Sequence, residues 1–167
     1  MKMRMIFVLA ALAVCSCSPD SPQGKENTAA TTTIEVVRQD ATPVKLEGVE
    51  NLYRVSKNLY RSGQPDAKGF TALYNHGVRS VLNLREYHRD NAKAGHTELS
   101  LYHHRMAAGS MTEADLEQCL LILRYSPKPV LVHCMHGSDR TGTVVAAYRI
   151  VEQGWKVEDA IAELKEK

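Results

Sequence analysis

Residues 129–142 read PVLVHCMHGSDRTG. The apolar run through Val130, Leu131 and Val132 ends at His133-Cys134, polar residues follow around Gly137, and a segment from about Arg140 to Gln153 runs up to Gly154. Two prolines ahead and β-branched residues within make the first piece a strand. The second reads as a helix with glycine as its stop. The reading therefore turns on a cysteine at a strand end, six positions ahead of an arginine at a helix start.

A strand, a glycine turn and a helix N-terminus form an anion cradle, because successive backbone N–H groups face inward and the helix dipole favours negative charge. Met135, His136, Gly137, Ser138, Asp139 and Arg140 supply those groups, and a phosphate-like anion is the natural guest. Gly137 permits a positive φ or a close backbone approach, and Gly142 permits tight packing of helix on sheet. The same N–H groups favour the thiolate of Cys134, making it a nucleophile near neutral pH. Arg140 can clamp two phosphoryl oxygens with its planar fork. The Thr141 hydroxyl is placed to donate to sulfur when sulfur later becomes the leaving group.

Outward from this loop, Asn51–Pro65 gives two short extended pieces broken at Ser56-Lys57-Asn58, a hairpin. Asp66–His76 reads as a helix stopped by Gly77, and 78–85 as a buried strand. Residues 86–98 read as a polar surface loop and 99–104 as a further strand. Thr112 caps a helix to about Tyr125, with Asp115 completing a short capping box; Pro127 and Pro129 end it. A last helix covers Val157–Lys165, with Trp155 as its packing residue. Strands alternating with helices in this order predict an α/β fold, a central mostly parallel sheet flanked by helices on both faces. Ligands of such sheets sit beyond the carboxyl ends of the strands, where Cys134 lies.

His133-Cys134, five intervening residues, and Arg140-Thr141-Gly142 match the His-Cys-x5-Arg-Thr-Gly signature of the cysteine-dependent protein tyrosine phosphatases. The chain resembles their small, atypical dual-specificity branch, and LYRSGQP (59–65) and GVRSVLNLR (77–85) resemble that branch's opening. The resemblance spans roughly residues 51–153. It implies a dual-specificity phosphatase-like fold over 49–167, a phosphocysteine on Cys134 that water hydrolyses, no metal or other cofactor, and a phosphorylated protein or small phosphomonoester as substrate. Phosphotyrosine, phosphoserine and phosphothreonine are all within that class, and a small-molecule or inositol phosphate is an alternative.

The family also uses a general acid, usually an aspartate on a separate upstream loop, and that window (LSLYHHRMAAGSM, 99–111) holds no carboxylate. Asp139, beside Arg140, is the favoured replacement, an arrangement resembling the Asp-Arg pair of myotubularin-like and Sac-like lipid phosphatases. Glu113, Asp115, His103 and His104 are the alternatives. The empty window also keeps open a phosphate-recognition module with little turnover. A sulfurtransferase or arsenate reductase fits the Arg-Thr-Gly ending less well. Arg61 and Arg85 are expected to tie strands and loops by ion pairs, and His136 to bond backbone.

The chain has 167 residues, net charge +2 and 44% hydrophobic residues, which suits one domain and gives no sign of a nucleic-acid partner. Its start is distinctive: Lys2 and Arg4 precede an apolar run, Met5–Val14, too short for a membrane span of about 20 residues but right for an export signal. Residues 1–16 are read as a signal peptide, and Cys17 as a lipidation site like that of bacterial lipoproteins. A flexible tether, 17–48, follows, rich in Ser, Thr, Pro and Ala. The expectation is an exported, monomeric protein, periplasmic or lipid-anchored at an outer membrane. Of the two remaining cysteines, Cys119 falls on the apolar stripe of its helix and reads as core rather than as a disulfide partner.

Overall fold

A computed structural model describes residues 38–167; the expected signal peptide, Cys17 and the tether up to residue 37 lie outside the described residues. The elements are β1 (Thr42–Pro43), β2 (Tyr53–Ser56), β3 (Leu59–Ser62), α1 (Ala67–Asn75), β4 (Ser80–Asn83), α2 (Asn91–Ala94), β5 (Ser100–His103), α3 (Glu113–Tyr125), β6 (Val130–His133), α4 (Asp139–Gln153) and α5 (Val157–Glu166). The sheet order is β1-β2-β3-β6-β4-β5. Strands β3, β6, β4 and β5 run parallel, and the hairpin β2–β3 with β1 adds an antiparallel edge. The fold is the expected α/β sheet.

Period-two alternation along β6 divides the core. Val130 and Val132 pack with Cys119, Leu123, Val144 and Val145 of α3 and α4, whereas Leu131 packs with Phe70 and Leu73 of α1. Helices thus cover both faces, and β6, buried on both, is central enough to fix where its last residues point.

Local signals set the helix ends. Asp66 Oδ1 accepts the Gly69 N–H at 2.7 Å to start α1. Thr112 and Asp115 form a reciprocal capping box at α3. Gly154 closes α4 in the left-handed conformation, φ +67°.

Two expectations need correction. The segment 38–48, read as tether, is packed onto the domain: Ala41 is buried, its N–H donates to Glu163 Oε1 at 2.7 Å, and Thr42–Pro43 pair with β2. The folded unit therefore starts well ahead of residue 49. The polar stretch 86–98 is not merely a surface loop, because it contains α2 and buries Asp90 and Ala94. Among the described residues no helix is long and apolar enough to cross a membrane.

Candidate active site

Strand β6 delivers Cys134 to the carboxyl edge of the sheet, and α4 starts five residues later at Asp139. Between them the chain presents four successive carbonyls, and each is held from behind by a different donor. His133 Nδ1 donates to the Cys134 carbonyl at 3.1 Å, and the Gln64 N–H to Met135 at 3.0 Å. Asn51 Nδ2 donates to His136 at 3.1 Å, and Arg61 Nη2 to Gly137 at 2.7 Å. Carbonyls pulled back in this way leave the N–H groups turned to the opposite side, toward the sulfur: the Gly137 N–H donates to Cys134 Sγ at 3.3 Å. Gly137 has φ +85°, and a Cβ there would lie 2.6 Å from the Gly63 nitrogen and the Ser62 carbonyl carbon, so both its conformation and its seat against the β3–α1 turn require glycine.

Cys134 is a buried free thiol. Burial pushes the thiol up, but the Thr141 hydroxyl and the N–H groups of Thr141, Gly137 and His136 outweigh it, holding the thiol below the ordinary cysteine range. Thr141 Oγ1 is itself buried and has no competing partner among the described residues, so its proton is available to the sulfur. The other thiol behaves oppositely: Cys119, in the core against Met106 Sδ at 3.8 Å, is pushed up to about 12 by burial. Arg140 is aimed by the Met106 carbonyl, which accepts from Nη1 at 3.1 Å, while its buried Nε–H has no partner among the described residues. A guanidinium held on one edge and unpaired on another beside the loop can receive anion oxygens.

Among the acid candidates, Asp115 accepts from the Thr112 hydroxyl and N–H and from His104 Nε2, and these bonds hold its carboxyl at about 2. It is a cap, with both carboxylate oxygens engaged by Thr112 and His104. His104 is engaged by that carboxylate, and His103 donates through Nε2 to the Arg85 carbonyl at 2.6 Å. Asp139, the first residue of α4, and Glu113, the first of α3, are exposed, and neither carboxylate has a hydrogen-bond partner among the described residues. Arg61 and Arg85 are not ion-paired as expected. Arg61 holds the loop, and Arg85 donates through Nη1 to Gln64 Oε1 at 2.9 Å.

A family model described as DSP-PTPase phosphatase fused to NAD+ kinase matches residues 35–167, the folded unit and little else. The chain belongs to this DSP-PTPase family. It is 35% identical over 117 residues to the dual specificity protein phosphatase TpbA of Pseudomonas aeruginosa, covering 69% of this chain and 53% of that protein. The chain thus spans about half the length of that relative. A crystal structure of TpbA in complex with phosphotyrosine superposes with a TM-score of 0.69 at 32% identity, over 80% of each chain. The core catalytic domain of a PP-IP phosphatase from S. cerevisiae, solved with citrate, gives 0.64 at 26% identity, over 73% of this chain and 78% of that one.

The DSP-PTPase signature marked the loop but not its supports. Gln64 and Arg61 lie in the stretch LYRSGQP, where only Arg61 is expected to tie a loop, and then by an ion pair, and Asn51 lies 85 positions from the carbonyl it holds. Asp90, which accepts from His133 Nε2 at 2.8 Å, lay in the stretch read as polar surface. An aspartate at a helix start is ordinarily a cap, and no sequence signal distinguishes one that turns inward.

Proposed function

We propose that this chain is a phosphomonoesterase of the dual-specificity type, with Cys134 as nucleophile and residues 135–140 as the phosphate cradle. The observation that supports it best is the set of four tethered carbonyls, which turns the loop N–H groups toward the sulfur. In the first step the thiolate attacks phosphorus, the P–S bond forms as the ester P–O bond breaks, and the leaving oxygen takes a proton from the Asp139 carboxyl. In the second, water attacks phosphorus, loses its proton to the same carboxylate, and the P–S bond breaks with Thr141 donating to the departing thiolate. Arg140 neutralises equatorial oxygen charge in both steps. No step calls on a metal ion.

Phosphotyrosine is the substrate class we favour, supported by the likeness to TpbA, whose structure holds that residue. Phosphoserine and phosphothreonine esters fit the same cradle. The likeness to a PP-IP phosphatase supports a second reading, an inositol phosphate, although the cradle offers His136 and no lysine to a highly charged substrate. The experiment is hydrolysis of an aryl phosphate in chelator, with vanadate as inhibitor. Cys134→Ser should abolish turnover and retain vanadate binding; turnover that survives the substitution refutes the mechanism, and phosphotyrosine binding without turnover in the unaltered protein would make it a recognition module.

We further propose export and lipid anchoring at Cys17, supported by Lys2, Arg4 and the apolar run that follows. Cys17→Ala should release the protein from a membrane fraction.

A further inference from the structure

Of the four donors behind the loop, the one on Cys134 itself is titratable. His133 is fully buried, with Nδ1 at 3.1 Å from the Cys134 carbonyl and Nε2 at 2.8 Å from Asp90 Oδ2. A carbonyl can only accept, and so can an ionised carboxylate. Asp90 is ionised: burial pushes its carboxyl up, but the hydrogen bonds from His133 and the Gln64 amide outweigh it and hold the carboxyl below its usual range. Both ring nitrogens of His133 then face acceptors, and both contacts close only if both carry hydrogen. With a single proton, one contact would set lone pair against lone pair in a buried space.

The backbone around Asp90 points to the same role. Asp90 precedes α2 and its carbonyl accepts the N–H groups of Lys93 and Ala94, which is the N-cap position. An aspartate there normally spends its carboxylate on the helix N–H groups. Asp90 makes no such bond; its two oxygens go to His133 Nε2 and to Gln64 Nε2, the latter at 3.0 Å.

We propose that Asp90 is a positioning residue that keeps His133 doubly protonated, setting a buried positive charge directly behind Cys134 and favouring its thiolate. The pair is neutral in sum but oriented, with its positive member bonded to the Cys134 carbonyl and its negative member on the far ring nitrogen, and being buried it is little screened by salt. The groups around it add no competing charge. Phe70 of α1 meets the ring edge-on at 6.4 Å, Gln64 and Asn83 are neutral, and Arg85 reaches Asp90 only through the Gln64 amide. Arg61, whose register partner on β6 is Val132 and not His133, lies on the other face of the sheet, is permanently charged and does not titrate with the pair. The proposal rests on Cys134 being the nucleophile, and its test is read without turnover.

Asp90→Asn isolates the charge. An asparagine amide can donate to a neutral Nε2 while Nδ1–H still donates to the Cys134 carbonyl, so both bonds survive and the ion pair does not. In the full chain, iodoacetamide alkylation is followed at Cys134 by peptide mass spectrometry across pH. The variant's midpoint should rise by about one unit, an approximately tenfold loss of thiolate on the acid side, and Asp90→Glu should restore part of it. A folded Asp90→Asn variant with an unshifted midpoint overturns the proposal. Should that variant fail to fold, 15N NMR of the unaltered protein decides instead: two protonated ring nitrogens on His133 at neutral pH are expected, and a neutral tautomer overturns it. If aryl phosphate hydrolysis survives in Cys134→Ser while the alkylation shift is present, the phosphatase mechanism fails and the His133–Asp90 arrangement stands.

Discussion

The Arg61 guanidinium, without solvent exposure, donates through Nη2 to the Gly137 carbonyl at 2.7 Å while its Nε and Nη1 have no partner among the described residues. A buried charge so poorly matched costs stability, and burial correspondingly lowers the guanidinium from its ordinary range. Its benefit lies in the loop. A hydrogen bond from a charged donor is worth about 1.5–3 kcal/mol, so Arg61→Met should lower kcat/KM on an aryl phosphate roughly ten- to a hundredfold. Thermal melting should show no loss of Tm, since methionine fills the space without the desolvated charge. A fall in Tm that matched the fall in activity would make Arg61 a stability residue instead.

The thiol of Cys134 lies below the ordinary cysteine range because the donors around it outweigh burial, and Thr141 supplies the leading share of that effect. For an acid, losing a donor to the charged form raises the folded-state value. Thr141→Val should therefore move the acid limb of the alkylation profile to higher pH, and the slowing should be greatest below the variant's midpoint and vanish above it. Single-turnover kinetics should also show phosphocysteine accumulating, because the departing thiolate loses the same donor.

Asp139 and Glu113 are separable by leaving group. A general acid contributes about 10²–10⁴-fold, and chiefly to esters whose leaving oxygen is basic. Asp139→Asn should spare aryl phosphates with acidic phenols and depress hydrolysis of phosphotyrosine and alkyl phosphates by about a hundredfold. Glu113→Gln should leave both unchanged, and the opposite pattern in a series of substituted phenyl phosphates would transfer the role to Glu113.

Glu163 of α5 takes Arg149 in two bonds, 2.8 Å to Nε and 2.7 Å to Nη2, and also accepts the Ala41 N–H, all of it buried. Arg149 in turn reaches the Val55 carbonyl and lies 4.1 Å from the Trp155 ring centroid. Removing one member of such a pair leaves a buried charge uncompensated, at about 3–5 kcal/mol. Glu163→Gln should lower the urea midpoint accordingly, and protease should reach the segment around Ala41 more readily.

These sites differ in how far the sequence revealed them. The bounds of α3 were legible because Thr112 and Asp115 are neighbours in sequence and Pro127 follows the last turn. The strand-loop-helix around Cys134 was legible because its chemistry is contiguous. β1 was not, since two residues carry no periodicity and their place depends on Glu163, 122 positions on from Ala41. Nor were the supports of the loop, for Arg61 and Gly137 are 76 positions apart and Asp90 and His133 are 43 apart. Sequence patterns report local preference, and these pairings are made only when the sheet closes.

The tethered carbonyls of residues 134–137 also bear on how such enzymes are recognised. A peptide unit rotated about its own axis exchanges N–H for carbonyl, so a loop with the same ten letters but without Asn51, Arg61, Gln64 and Asp90 would present oxygen to an anion and repel it. The signature from His133 to Gly142 is therefore half of a lock whose other half is written elsewhere in the chain. Substitution of that second half should therefore disable the loop with every letter of the first intact.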